Sequence, residues 1–147
     1  MQLGELLERG DVIWLDGELG SGKTTLVQGI AAGWGSSDNV TSPTFVLVNV
    51  YRRPASGRAQ DMQLFHMDAY RLESALEAEQ LDLDDLLDQG PLVIEWAQRI
   101  VAALPGERLQ LTLNAVDTSR RHILVEPVGE RYLRMAHDFQ QAVYGIV

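Results

Sequence analysis

The sequence predicts a three-layer α/β domain with a mixed central sheet, and three observations carry that expectation. The run Gly17-Glu18-Leu19-Gly20-Ser21-Gly22-Lys23-Thr24 fits the phosphate-loop pattern G-x-x-x-x-G-K-[ST] without a mismatch. It lies between the apolar run Val12-Ile13-Trp14-Leu15 and the helical segment 25–32, and strand, glycine loop, helix is the context that pattern requires. Further on, short apolar or alternating runs alternate with helical ones, which is the order of a layered α/β chain. With 147 residues and 46% hydrophobic content, residues 1–147 suffice for a single domain with its own core.

Each element has its own local reason. Gln2 to Arg9 reads as the end of a helix closed by Gly10. Residues 12–16 form the first strand, and the helix after the glycine loop ends near Gly33 to Gly35. Residues 36–43 are polar and irregular. Thr44 to Tyr51 is rich in Val and Phe and reads as a strand. Arg52 to Asp61 contains Pro54 and Gly57 and reads as a loop, across which Met62 to Met67 can return as an antiparallel strand. Residues 74–88 read as one acidic helix, with Leu76, Leu83 and Leu87 near one face. Pro91 to Ile94 is a short apolar strand. Leu109 to Leu113 and His122 to Glu126 form a second hairpin, and Glu130 to Val143 a closing helix.

Composition narrows the function. Twelve basic and 21 acidic residues give a net charge of −9, which suits direct nucleic-acid binding poorly because phosphate contacts need a basic surface. Any work on RNA then falls to a partner that holds it. Without cysteine, disulfide and thiol chemistry are excluded. No basic segment followed by an apolar one opens the chain, and no apolar run approaches the roughly 20 residues that span a bilayer. The expected location is cytoplasmic.

In the glycine loop, backbone N–H groups from Gly20 to Thr25 can converge on phosphate oxygens, an approach that side chains would block. The following helix adds the positive end of its dipole. Lys23 can reach the β- and γ-phosphates, and the Thr24 hydroxyl can bind Mg²⁺. Thr25 either helps at the α-phosphate or only fills the first helical turn. Nucleotide hydrolysis also needs an acid at a strand end, for Mg²⁺ or its water. Glu95 and Asp68 are the two candidates; either could serve the metal while the other orients water, and the alternative is that both face solvent. Thr44, after Ser42-Pro43, is placed to sense the γ-phosphate in a mobile loop, or simply opens a strand. Trp96 could stack on a base, cover the site or fill the core, with core as the default for tryptophan. Arg71 could stabilise transferred charge, but local pairing with Glu73 is the safer reading.

Other patterns are weaker. Asn114-Ala115-Val116-Asp117 lacks the lysine of a guanine-selecting motif, and no D-x-x-G occurs. His66, His122 and His137 have no metal-ligand spacing. Arg120 with Arg121 is the only late arginine pair that a small-molecule kinase could use as a lid. A binding module that uses ATP without hydrolysing it is a further alternative.

Four segments together are more specific than the loop alone: residues 17–25, Ser42-Pro43-Thr44-Phe45, His66-Met67-Asp68-Ala69-Tyr70-Arg71-Leu72, and Ile94-Glu95-Trp96. In this order the chain resembles the bacterial TsaE (YjeE) family, the ATPase component of tRNA threonylcarbamoyladenosine synthesis. The resemblance runs from about Leu3 to the last helix and implies the P-loop NTPase fold. It implies that Glu18, Leu19, Gly20, Ser21, Gly22, Lys23, Thr24 and Thr25 hold ATP, and that Thr24 and Glu95 bind Mg²⁺. Asp68 would support hydrolysis, Thr44 would lie in a switch-like loop, and Trp96 would sit beside the nucleotide. The implied partner is a two-protein threonylcarbamoyl transferase complex of TsaB and TsaD type, with tRNA engaged only indirectly. Family members usually begin with one more strand before the position of Leu3. The expectation is therefore either a domain lacking that strand and any N-terminal contact to adenine, or a misassigned start codon.

Overall fold

A computed structural model describes residues 2–18, 22–38, 40, 48–53, 62–70, 72 and 82–144. Its centre is a six-stranded sheet of β1 (Val12–Gly17), β2 (Val48–Arg53), β3 (Met62–Asp68), β4 (Leu92–Glu95), β5 (Arg108–Ala115) and β6 (Arg121–Val128). The order is β2-β3-β4-β1-β5-β6. The inner four strands run parallel, while β2 and β6 are antiparallel edges, so the sheet is mixed as expected.

The two-residue period of a strand explains the layering. In β1, Ile13 and Leu15 face one side, where they join Val93, Leu109 and Leu111 of the sheet. That core is closed by Leu3 of α1 (Gln2–Glu5), by Val27, Ile30 and Trp34 of α2 (Lys23–Trp34), and by Tyr132 and Met135 of α4 (Glu130–Tyr144). Val12 and Trp14 face the other side and pack with Phe65, Met67, Leu92 and Ile94. There the cover is Leu83 of α3 (Leu83–Gln89) together with Ala97 and Ile100 of a 3-10 segment, Ala97–Ala103. All four residues of β4 are buried, which is why that strand reads as an unbroken apolar run until Glu95.

Polar contacts fix α4 to the head of β1. The buried Tyr132 hydroxyl accepts the Val12 N–H at 2.9 Å. Arg131 donates to Asp11 at 2.9 Å and to the Leu6 carbonyl at 2.9 Å. Gly4 lies so close to the Ile30 carbonyl and the Trp34 amide that a Cβ there would strike backbone atoms, which locks α1 onto α2.

Three sequence expectations need correction. The first helix ends at Glu5, after which Leu6 and Leu7 continue in turns that bond back to Leu3 and Gly4. β2 extends through Arg52 and Arg53, which pair with Gln63 and Met62 and so do not belong to the loop. The acidic helix is not continuous over 74–88. Asp82 adopts φ 50, and its carboxylate accepts the Asp85 N–H at 3.3 Å, so it caps a helix that begins at Leu83. Periodic leucines on both sides of Asp82 hid this break. Residues 73–81 lie outside the described residues, as do 44–47 of the expected strand. No helix among the described residues is long and apolar enough to cross a membrane.

Candidate functional site

The site forms where the parallel strands end. Ligands in open α/β sheets bind outside the carboxyl ends of the strands. Here β1 ends at Gly17, β3 at Asp68 and β4 at Glu95. Asp68 and Glu95 are register partners on neighbouring strands, and the Ala69 N–H bonds to the Glu95 carbonyl at 3.0 Å.

Gly22 enters α2 with φ 99, a left-handed conformation that favours glycine, and it supplies no capping side chain. Space is not the constraint at Gly22: a Cβ there would meet nothing closer than Arg121 Nε at 3.8 Å. The glycine is therefore required by backbone angle, and it lets the chain turn from loop into helix. No acidic residue occupies the first turn of α2, so its positive end is not neutralised from within the helix.

Lys23 is the first residue of α2, and its ammonium donates to the Gly17 carbonyl at 2.9 Å. The same Nζ stands 3.7 Å from Glu95 Oε1, a charge contact longer than a hydrogen bond. It also lies 5.3 Å from the ring centre of Trp96. Glu95 is only 6% exposed, so it is not a solvent-facing strand end. Burial opposes its ionisation, but the hydrogen bond from His66 and the attraction of His66 and Lys23 outweigh it. The carboxyl is held below its ordinary value.

Trp96 is 37% exposed and is not core, which overturns the default for that residue. Its φ of 60 turns the chain sharply at the end of β4 and leaves the ring in the site. Tyr70 packs on it with ring centres 5.0 Å apart, and Arg99 lies 5.0 Å from the centre of the Tyr70 ring. Asp68 is half-buried, and its Oδ1 accepts the Tyr70 N–H at 2.9 Å.

Among the sequence-expected site residues, the structure thus brings Lys23, Glu95 and Trp96 into contact, with Asp68 one strand over. Thr24 is half-buried in the first turn of α2, and Thr25 is exposed beside it. Glu18 is exposed at the start of the loop. Leu19, Gly20, Ser21 and Thr44 lie outside the described residues, as do Ser42, Pro43 and the Arg71–Glu73 pair.

Two features escaped the sequence reading. A cavity of about 380 Å³ opens beside the loop, lined by Gly22, Thr25, Leu26, Ser119, Arg121 and Ile123 among others. The β5–β6 turn supplies its far wall, and there Arg120 is tied back to Asp117 at 2.7 Å. The second feature is His66, whose Nε2 lies 2.8 Å from Glu95 Oε2. His66 has no metal-ligand spacing in the sequence, and it meets its partner 29 residues away through strand register.

A glycine loop between a parallel strand and a helix, with acids at the ends of adjacent strands, defines an α/β protein of the phosphate-loop type. The comparison with solved structures agrees. The crystal structure of Bacillus subtilis YdiB superposes with a TM-score of 0.75 at 32% identity, covering 97% of this chain and 85% of that one. The chain belongs to the TsaE family: the model described as "Threonylcarbamoyl adenosine biosynthesis protein TsaE" matches residues 1–123. Among its relatives, the tRNA threonylcarbamoyladenosine biosynthesis protein TsaE of Streptomyces coelicolor is 43% identical over 136 residues, 89% of each chain. The Bacillus subtilis protein of the same name is 38% identical over 133 residues, 90% of this chain and 79% of that one.

Proposed function

We propose that this chain is a Mg²⁺-dependent ATPase that serves threonylcarbamoyladenosine formation as an accessory to a two-protein transferase complex. The observation that carries the reading is Lys23, held at the head of α2 between the Gly17 carbonyl and the Glu95 carboxylate. A lysine so placed exchanges one anionic partner for another when phosphate enters the loop. The positive end of α2 favours the same charge.

The residues present suit magnesium. Glu95, the Thr24 hydroxyl and Asp68 are oxygen donors, the class a hard cation takes. Among the described residues no group of three or more His, Cys, Asp or Glu could hold a metal alone. Mg²⁺ does not need such a cage, because it binds through one or two carboxylates, retained waters and the nucleotide's own phosphates. When bound, the ion would neutralise charge on the β- and γ-phosphates. Thr24 and Glu95 would hold it, Lys23 would bind the phosphates, and Asp68 would orient the attacking water. Trp96 would flank the nucleotide, and the cavity lined by Thr25 and Arg121 is sized for its nucleoside part.

The accessory role draws on the family and on charge. With a net charge of −9 the chain has little means of gripping tRNA itself, so the modifying partners must hold the RNA. The test is ATP hydrolysis with Mg²⁺, with and without the TsaB- and TsaD-type pair, using Lys23→Ala as control. The expected result is turnover stimulated by the pair and lowered about 100-fold or more by the substitution. Hydrolysis indifferent to Lys23 would refute the site, and hydrolysis indifferent to the pair would refute the accessory role.

A further inference from the structure

Tyr51, His66 and Glu95, on three neighbouring strands, lie in a row on the same face of the sheet. Tyr51 of β2 pairs across to Leu64, two residues before His66 on β3. His66 pairs with Val93, two residues before Glu95 on β4. Two-residue periodicity then puts Tyr51, His66 and Glu95 on the side that also carries Leu64 and Val93. The Tyr51 hydroxyl lies 3.0 Å from His66 Nδ1, and His66 Nε2 lies 2.8 Å from Glu95 Oε2.

This row is costly as packing. His66 is 0% exposed and Tyr51 is 3% exposed, beside a core made mostly of leucine, isoleucine and valine. Burying an imidazole and a hydroxyl there yields less than burying leucine and phenylalanine, unless their hydrogen bonds serve another end. The direction of those bonds follows from chemistry. A carboxylate only accepts, so Nε2 carries the hydrogen given to Glu95. One carboxylate oxygen is thereby taken by His66, while the other, Oε1, faces Lys23 at 3.7 Å.

We propose that His66, steadied by Tyr51, is a positioning residue for Glu95. It holds Oε2 from behind so that Oε1 is presented to the phosphate loop and to the cation that accompanies the nucleotide. The proposal rests on the magnesium-nucleotide reading of the site. Groups that orient a metal-binding carboxylate through a second hydrogen bond typically contribute about 10- to 100-fold to metal affinity.

Two substitutions of similar chemistry separate positioning from packing. A glutamine amide nitrogen falls near the place of Nε2, whereas an asparagine amide falls near Nδ1. His66→Gln therefore keeps the bond to Glu95, and His66→Asn loses it. Mn²⁺ binding in the presence of ADP, followed by electron paramagnetic resonance, reads the effect directly. Nucleotide affinity measured in EDTA supplies the metal-free reference. The expected result is Mn²⁺ affinity about 10- to 100-fold weaker in His66→Asn and near wild type in His66→Gln. Tyr51→Phe should shift it the same way by less, with metal-free ADP affinity unchanged in all three.

Wild-type Mn²⁺ affinity in His66→Asn would overturn the proposal. So would an equal fall in both His66 variants accompanied by an equal loss of metal-free ADP binding. An unchanged Tyr51→Phe would remove Tyr51 from it. A nitrogen-15 spectrum of the ligand-free protein tests the inference without any nucleotide. A hydrogen on His66 Nε2 is expected, and a bare Nε2 would sink the positioning role on its own. Failure of the wild-type protein to take up Mn²⁺ with ADP would instead refute the underlying reading of the site.

Discussion

Removing the Lys23 and Glu95 charges one at a time and together measures how strongly the ligand-free site is held. At 3.7 Å and an effective dielectric of about 20, the raw attraction between these charges is about 4 kcal/mol. Both groups are largely buried, with side-chain exposures of 12% and 8%, so desolvation offsets much of that. Neither single variant strands its partner entirely. Lys23→Met leaves Glu95 bonded to His66, and Glu95→Gln leaves Lys23 bonded to Gly17. The expected coupling in the double-mutant cycle of Lys23→Met and Glu95→Gln is therefore about 1–3 kcal/mol. It would be read from urea unfolding of all four proteins at neutral pH without nucleotide. Coupling below about 0.5 kcal/mol would mean that the two charges are independent, and the reasoning about a preformed ion pair would fall.

Two further outcomes follow from the geometry. Tyr132→Phe removes the acceptor for the buried Val12 N–H and should cost about 1–3 kcal/mol in chemical unfolding; a loss under about 0.3 kcal/mol would show that another group takes the bond. Glu95 gives the pH dependence. Its carboxyl lies below the ordinary value of 4.5 in the folded protein, so its ionised form contributes stability that is present above 4.5. That contribution is lost as pH falls through the lowered folded value. The stability advantage of wild type over Glu95→Gln should accordingly shrink between neutral pH and pH values below 4.5, and an advantage that stays constant or grows would contradict it.

Much of the scaffold could be read directly from the chain because local signals and tertiary environment agree there. The apolar runs around Val12 and Leu92 lie at the middle of a parallel sheet, where both faces are buried, so composition alone marks them. Glu95 and Asp68 stand out in the sequence as strand-end acids for a related reason: each is the first acid after such a run. What escaped depends on contacts between strands or on single backbone angles. His66 occupies an inward-facing position that alternation would assign to any apolar residue, and only the register of β3 on β4 reveals its partner. Trp96 looked like core because tryptophan usually is, but a φ of 60 at one residue redirects the ring into the site. Asp82 shows the reverse error, since a periodic leucine pattern crossed it while its side chain was capping a new helix.

The three tryptophans fall in three different surroundings. Trp34 is buried in one core, Trp14 is buried in the other, and Trp96 is half-exposed beside Lys23. The ultraviolet emission of this protein is therefore divided by place. A dissolved quencher such as acrylamide reaches Trp96 first, and its accessible fraction follows events at the phosphate loop. The shielded remainder follows the integrity of the two cores on either side of the sheet. Changes around Trp96 and unfolding can be followed separately in one cuvette, without an attached dye.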